Sequence, residues 1–514
     1  MKKNQILTVA ITLLLAFVLA GCSPDDPSHP TTLRAPQGEE VFGKYVALGN
    51  SLTAGYQDAG LVGFTSFGMP TGQYYSYPRL IAGQLGLDNS IGNSEFSEPY
   101  IAWPGVGSST PDSPANAAGV MYFDTDTGGL NWENTPLVSV PSLLLAATVP
   151  TPYHNLGVPG ARLWEVLNTS DSASSYGAPY GSPNPFFDFI NRATFFGNTE
   201  TEAVVSDLTG QPKTITYQTA SMARQAIAKG PSLATVWIGN NDVLGGALGG
   251  NPVVGDNPLL GENITTTGTF QAQYSEMMQL LAGGMVQSTG WAPLILAANI
   301  PSITSIPYFI DETTFLAAVG APAWPAGYAE DDVELFTFPV LSWAATANPL
   351  TDAVPSNYTL TGDEVTTVAG AVGGYNQIIA GVAASVTASG YAQVEVVDMN
   401  ALMAEISGGT SAYGPTAAVN FMLLLPQFEG DIVAAAAATL FSLDGVHPNN
   451  KGYGVVANEF LTVLNDILDT SVPLVNVGAL SWDPTYGTGI QTKTTVDKVH
   501  LSPEAAARMG AIFR

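Results

Sequence analysis

Ser51 stands in Gly49-Asn-Ser-Leu-Thr-Ala-Gly55, directly behind the apolar run Tyr45-Val-Ala-Leu48. Such a run, ending in glycine and asparagine, reads as a short buried strand that turns sharply. That puts Ser51 just past the carboxyl end of a strand, where open α/β sheets hold their ligands. Serine is a weak nucleophile at neutral pH and needs a base to take its proton. The chain offers four histidines: His29, His154, His447 and His500. His29 lies in a polar, proline-rich stretch and His500 in a tail without clear pattern. His154 precedes a glycine loop on a strand, a structural position. His447 lies in Asp444-Gly-Val-His-Pro448, with a carboxylate three residues before it. Asp444 there is able to bond Nδ1–H, fix the tautomer and leave Nε2 facing Ser51.

Acyl transfer also needs donors aimed at a developing oxyanion, each worth about 2.7–4 kcal/mol of barrier. The backbone N–H of Ser51 is one candidate. Gly160, in His154-Asn-Leu-Gly-Val-Pro-Gly-Ala161, is a second, because a residue without Cβ lets its N–H approach a substrate closely. The side-chain amide of Asn241, in Trp237-Ile-Gly-Asn-Asn-Asp242, is a third.

GNSLTAG, NLGVPGA, IGNND and DGVHP, in this order, resemble the four blocks of the SGNH hydrolase superfamily, the GDSL-type lipases and esterases. The resemblance implies a flavodoxin-like three-layer α/β/α sandwich with a central parallel sheet of about five strands. It implies Ser51 as nucleophile and oxyanion donor, Gly160 and Asn241 as the other donors, His447 as base and Asp444 as its orienting acid. Gly157 is the alternate for the glycine; spacing from Asn155 favours Gly160. One departure is clear: Asn50 stands where the family usually has Asp. Competing catalytic signatures are missing, since the chain has no G-x-S-x-G, S-x-x-K or H-E-x-x-H, and no cofactor or metal is implied.

These residues need elements to carry them. Strands are expected at the Ser51 block, before the glycine loop, over Leu233 to Ile238, Pro293 to Asn299 and Val394 to Asp398. Helices are expected over Tyr77–Leu85, Ala220–Lys229, about 270–285, 364–388 and Asn450–Leu468. This alternation argues a parallel sheet covered on both faces. The domain is expected over 41–470, with insertions at about 88–150, 168–215 and 302–362 and a tail, 471–514, of no assigned role. The aromatic 302–362 insertion reads as a cap or lid. With the apolar 421–441 stretch, it is a candidate wall for an acyl pocket.

Residues 1–21 read as a secretory signal, with Lys2-Lys3 ahead of an apolar core, and Leu19-Ala-Gly-Cys22 resembles a lipoprotein cleavage site. Cys22, the single cysteine, is the expected lipidated residue, and 22–40 the tether. The expected location is the cell envelope, as an outer-membrane lipoprotein, monomeric and membrane-bound through that anchor. A formal charge of −28 argues against nucleic acid as a partner. The expected function is a serine ester hydrolase acting on small-molecule or lipid esters. A carbohydrate O-acetylesterase, or a non-catalytic surface lipoprotein binding glycan or lipid, are the alternatives.

Overall fold

The computed structural model describes residues 38–91, 95–107, 117–135, 143–145, 152–206, 211–320, 333–347 and 352–486. Cys22, His29, His500, the expected signal and the expected tether up to residue 37 lie outside them. Five apolar runs form one parallel sheet: β1 (Tyr45–Gly49), β2 (Asn155–Gly157), β3 (Leu233–Trp237), β4 (Leu294–Ala298) and β5 (Gln393–Val397). Their order across the sheet is β2-β1-β3-β4-β5, with Tyr45 beside Leu233 and Leu233 beside Leu294. This is the flavodoxin-like order, and its direction reverses between β1 and β3. Ligands of such sheets bind beyond the strand ends at that reversal.

Successive side chains of a strand face opposite ways, and here the alternation divides the interior in two. Tyr45, Ala47, Leu233, Leu294 and Leu296 point to one face. They meet Tyr77 and Ile81 of α1 (Tyr77–Gln84) and Phe460 and Leu464 of α7 (Asn450–Leu468). Val46, Leu48, Ala234, Val236, Ile295 and Ala297 point to the other. Packed there are α2 (Met222–Ala228), α3 (Asn241–Leu248), α4 (Thr267–Thr289) and α5 (Gly362–Ser389). Both long helices are closed chemically. Thr361 and Glu364 form a capping box at the start of α5, and Gly290 ends α4 in the left-handed conformation. A further helix, α6 (Met399–Ser407), follows β5.

The insertions carry more order than their composition suggests. Ala117–Asp124 and Gly129–Thr135 form one antiparallel hairpin, Glu200–Ser206 and Pro212–Gln218 another. In 302–362, Tyr308, Phe309, Phe315, Phe336 and Phe338 are buried together in the main core, while Trp324 and Tyr328 lie outside the described residues. The aromatic content of that segment thus serves largely as packing. The first part of the expected tail, through Tyr486, folds back into the domain, with Trp482 and Tyr486 buried.

Candidate active site

The strand β1 ends at Gly49, and the chain turns into a single helical turn, Ser51–Ala54, whose cap is Asn50. The Asn50 side-chain Oδ1 accepts the Leu52 N–H at 3.0 Å, and its Nδ2 donates to Asn240 Oδ1 at 3.0 Å. Ser51 is thereby the first residue of a turn standing on the sheet's carboxyl edge. Asn50 does here, as a neutral residue, the capping work of an acid.

From the other end of the chain, residues 442–447 fold into a tight loop, with Ser442 N–H donating to the His447 carbonyl at 2.8 Å. This loop brings His447 Nε2 to 2.9 Å from Ser51 Oγ and His447 Nδ1 to 3.0 Å from Asp444 Oδ2. The Asp444 carboxylate also accepts the N–H groups of Val446, His447 and Ala59, at 2.8, 2.8 and 3.0 Å. Burial acts to raise the Asp444 carboxyl, but the facing imidazole and these donors overcome it and hold the group below its ordinary range. An acceptor at Nδ1 puts the proton of a neutral imidazole there, so Nε2 is the acceptor for the Ser51 hydroxyl. The ring of Tyr56 lies 4.7 Å from the imidazole and closes its side.

Asn241 opens α3, following β3 across the reversal. Its Nδ2 donates to the Ala161 carbonyl at 2.8 Å, and Arg162 Nε returns a bond to the Asn241 carbonyl at 3.3 Å. The next pair repeats the lock: Leu163 N–H donates to Asp242 Oδ2 at 2.9 Å. Two loops are therefore fastened together, one bearing Gly160 and the other Asn241. Gly160 has a φ of +76°, which favours glycine, and its amide and that of Ser51 donate to no backbone carbonyl among the described residues. Gly157, the alternate, is spent differently. A Cβ there would fall 2.2 Å from Ala54 N, so this glycine lets β2 pack against the Ser51 turn. His154 stands apart from Ser51. Its Nδ1 lies 3.1 Å from Ser97 N and 3.0 Å from Ser97 Oγ, and burial pushes its pKa down to about 3.

Beside Ser51 and His447 opens a pocket with an apolar wall. Ile303 and Ile306 come from the expected cap, and Leu440 and Phe441 from the end of the apolar stretch. The larger part comes from Met399, Leu402, Met403 and Ile406 of α6 and from Val455 and Val456 of α7. Neither helix stood out in the sequence as a pocket wall. Among the described residues, no group of three or more His, Cys, Asp or Glu is placed to hold a metal ion, and no helix is long and apolar enough to cross a membrane.

Sequence reasoning passed over several supporting residues: Asn240 under Asn50, Arg162 under Asn241, and Asp58 behind Asp444. Asp58 is wholly buried, and burial pushes its pKa up to about 7 despite bonds from Tyr486, Leu443 and Trp482, with the Asp444 charge adding to the rise. Each partner comes from a distant segment, so local sequence carried no signal of them.

Residues 45–460 match the family model described as GDSL-like Lipase/Acylhydrolase. Comparison with curated proteins and with solved structures gives no match.

Proposed function

The chain belongs to the GDSL-like lipase/acylhydrolase family, whose members hydrolyse esters, and from that premise we propose a secreted, lipid-anchored serine esterase that cleaves acyl esters through an acyl-enzyme on Ser51. The observation that carries this reading is the unbroken chain of bonds from Ser51 Oγ through His447 to Asp444. Ser51 Oγ attacks the ester carbonyl while its proton passes to His447 Nε2. The resulting imidazolium is stabilised by Asp444 and gives that proton to the departing alcohol. Water then enters, loses a proton to His447 and releases the acid, returning Ser51 to its hydroxyl form. Ser51 N–H, Gly160 N–H and the Asn241 amide are the oxyanion donors in both halves.

The apolar wall supports an acyl chain longer than acetyl, because each methylene buried there is worth about 0.8 kcal/mol. For the same reason it disfavours the O-acetylesterase alternative. Attachment at Cys22 and residence in the cell envelope rest on the amino-terminal sequence. The test is Ser51→Ala: hydrolysis of p-nitrophenyl butyrate should fall by at least about a thousandfold, and labelling by a fluorophosphonate should disappear, in a protein with an unchanged circular dichroism spectrum. Wild-type turnover in that variant would refute the reading.

A further inference from the structure

Residues Gln57 to Gly60 form a two-residue reverse turn, with Gln57 N–H donating to the Gly60 carbonyl at 3.1 Å and Gly60 N–H returning a bond at 3.0 Å. The two central residues, Asp58 and Ala59, have φ of +51° and +57°. Both being left-handed makes this a type I′ geometry, which strongly favours Asn-Gly or Asp-Gly. An alanine at such a φ is strained by its Cβ, and backbone held this way persists where its surroundings over-determine it. What the strain achieves is visible: it turns the Ala59 N–H onto Asp444 Oδ2, the oxygen that also holds His447.

The surroundings that enforce the turn converge on Asp58. Its backbone N–H donates to Ser442 Oγ at 3.0 Å, and its Oδ1 accepts the Leu443 N–H at 2.8 Å, so both bonds grip the loop that carries Asp444. Its Oδ2 accepts Tyr486 Oη–H at 2.6 Å, Trp482 Nε1–H at 3.1 Å and, more weakly, Gln57 Nε2–H at 3.4 Å. Those donors come from the segment after α7, beyond the stretch that matches the family model.

We propose that Asp58 is a positioning residue for the Asp444–His447 pair, and that the segment carrying Trp482 and Tyr486 is the clamp that holds Asp58 in place. The segment once without a role thus acts on the base through one buried carboxylate. This rests on the reading that Ser51, His447 and Asp444 hydrolyse esters, and its test separates the two.

An amide in place of the Asp58 carboxylate has one acceptor and one donor. With its nitrogen toward Leu443 it opposes the Leu443 N–H. With its nitrogen toward Trp482 it opposes the indole N–H. Asp58→Asn must therefore release one partner. With Trp482→Phe added, the nitrogen faces Tyr486, whose hydroxyl can accept, the carbonyl keeps Leu443, and the long Gln57 Nε2 bond of 3.4 Å is given up while Gln57 keeps Thr71.

The measurement is kcat and KM for p-nitrophenyl butyrate, with melting temperature, in Asp58→Asn, Trp482→Phe and the double variant. Asp58→Asn should lower kcat by about tenfold to a hundredfold with KM within about twofold, because misplacement of the base costs turnover and leaves the acyl pocket intact. The double variant should regain at least about threefold in kcat over Asp58→Asn while melting lower, since it also loses indole packing. Activity and stability moving in opposite directions is a result that a merely structural role does not give. Unchanged kcat in folded Asp58→Asn overturns the proposal, as does a double variant no more active than Asp58→Asn. Retained activity in Ser51→Ala overturns the hydrolase reading instead.

Discussion

Two shoulders flank Ser51, and they are built on different electrostatics. On the oxyanion side, Gly160 and Asn241 are backed by Glu165 and Asp242 with Arg162 among them. On the base side, Asp444 and His447 are backed by Asp58, with no lysine or arginine among its bonding partners. Burial raises Glu165 and Asp242 first of all, and Arg162 draws both back. Among the described residues, the donors that draw Asp58 back are neutral: Tyr486, Leu443, Trp482 and, at 3.4 Å, Gln57. Even Arg162 directs its guanidinium to carbonyls, those of Asn241 and Asn263. A chain with 15 Lys and Arg against 43 Asp and Glu has few cations to spend inside, so it orients buried carboxylates largely with N–H and O–H donors. One shoulder is tied by a cation's geometry, the other by hydrogen-bond donors from across the chain.

The base side should fail hardest. Asp444→Asn keeps the volume but replaces an acceptor facing His447 Nδ1 with an amide, which lets the imidazole hold the wrong tautomer. Turnover of p-nitrophenyl butyrate at pH 7 should fall by about 10⁴-fold with little change in KM. A loss under tenfold would mean that the base is oriented from elsewhere. The oxyanion side should fail less steeply, because three donors share the charge. Asn241→Ala should cost about 10²–10³ in kcat. If it cost as much as Asp444→Asn, the two shoulders would not differ in the way their construction implies.

The frame of this site was legible in the sequence. The five strands lie within a residue or two of the apolar runs, and α7 spans Asn450–Leu468 as its periodicity indicates. Buried parallel strands are continuous apolar runs, and long amphipathic helices repeat, so both leave a local mark. What supports the site left none. Asp58-Ala59 reads as any polar turn, and its partners stand more than 380 residues away, at Leu443, Trp482 and Tyr486. The two hairpins in the insertions also escaped: Ala117–Asp124 is a mostly apolar run without clear alternation, and the other three strands mix Glu, Thr or Asn with apolar residues. In 302–362 composition did not separate two roles: most of its rings fill the core, while Ile303 and Ile306 of the same segment line the pocket.

A pH titration of stability separates the shoulders next. Asp58 and Glu165 are each raised to about 7 by burial. A carboxyl whose folded pKa is raised binds its proton more tightly folded than unfolded. Its contribution is therefore complete below its unfolded pKa, near 4, and is lost as pH rises through about 7. Asp444, held low, works oppositely, contributing in full above the unfolded carboxyl's value, near 4, and losing its share as acid protonates it. Melting temperature should thus decline from pH 5 to pH 8. Asp58→Asn should flatten that decline slightly more than Glu165→Gln, since both folded values are about 7 and the aspartate starts from the lower ordinary value, 3.8 against 4.5. A decline that neither change flattens would show that burial does not hold these protons.

The smallest effect belongs to Asn50, which touches both shoulders through the turn of Ser51 and through Asn240. Asn50→Asp keeps the acceptor for Leu52 N–H, so the cap survives. The bond to Asn240 Oδ1 is lost as it stands, but Asn240 need only rotate its amide to donate instead, at the cost of one terminal torsion. The new charge has two opposing effects on turnover. It favours an imidazolium at His447 and opposes an oxyanion beside Ser51, and in a chain whose family usually carries the acid these should nearly cancel. Since one such hydrogen bond is worth about 1 kcal/mol, kcat should change by less than about fivefold. Adding Asn240→Ala to Asn50→Asp removes the donor that the carboxylate needs and leaves it buried without that partner. The double variant should therefore lose more activity than the two single changes combined. Strict additivity would mean that Asn50 and Asn240 are neighbours without being coupled, and that the turn bearing Ser51 is fixed by its own backbone alone.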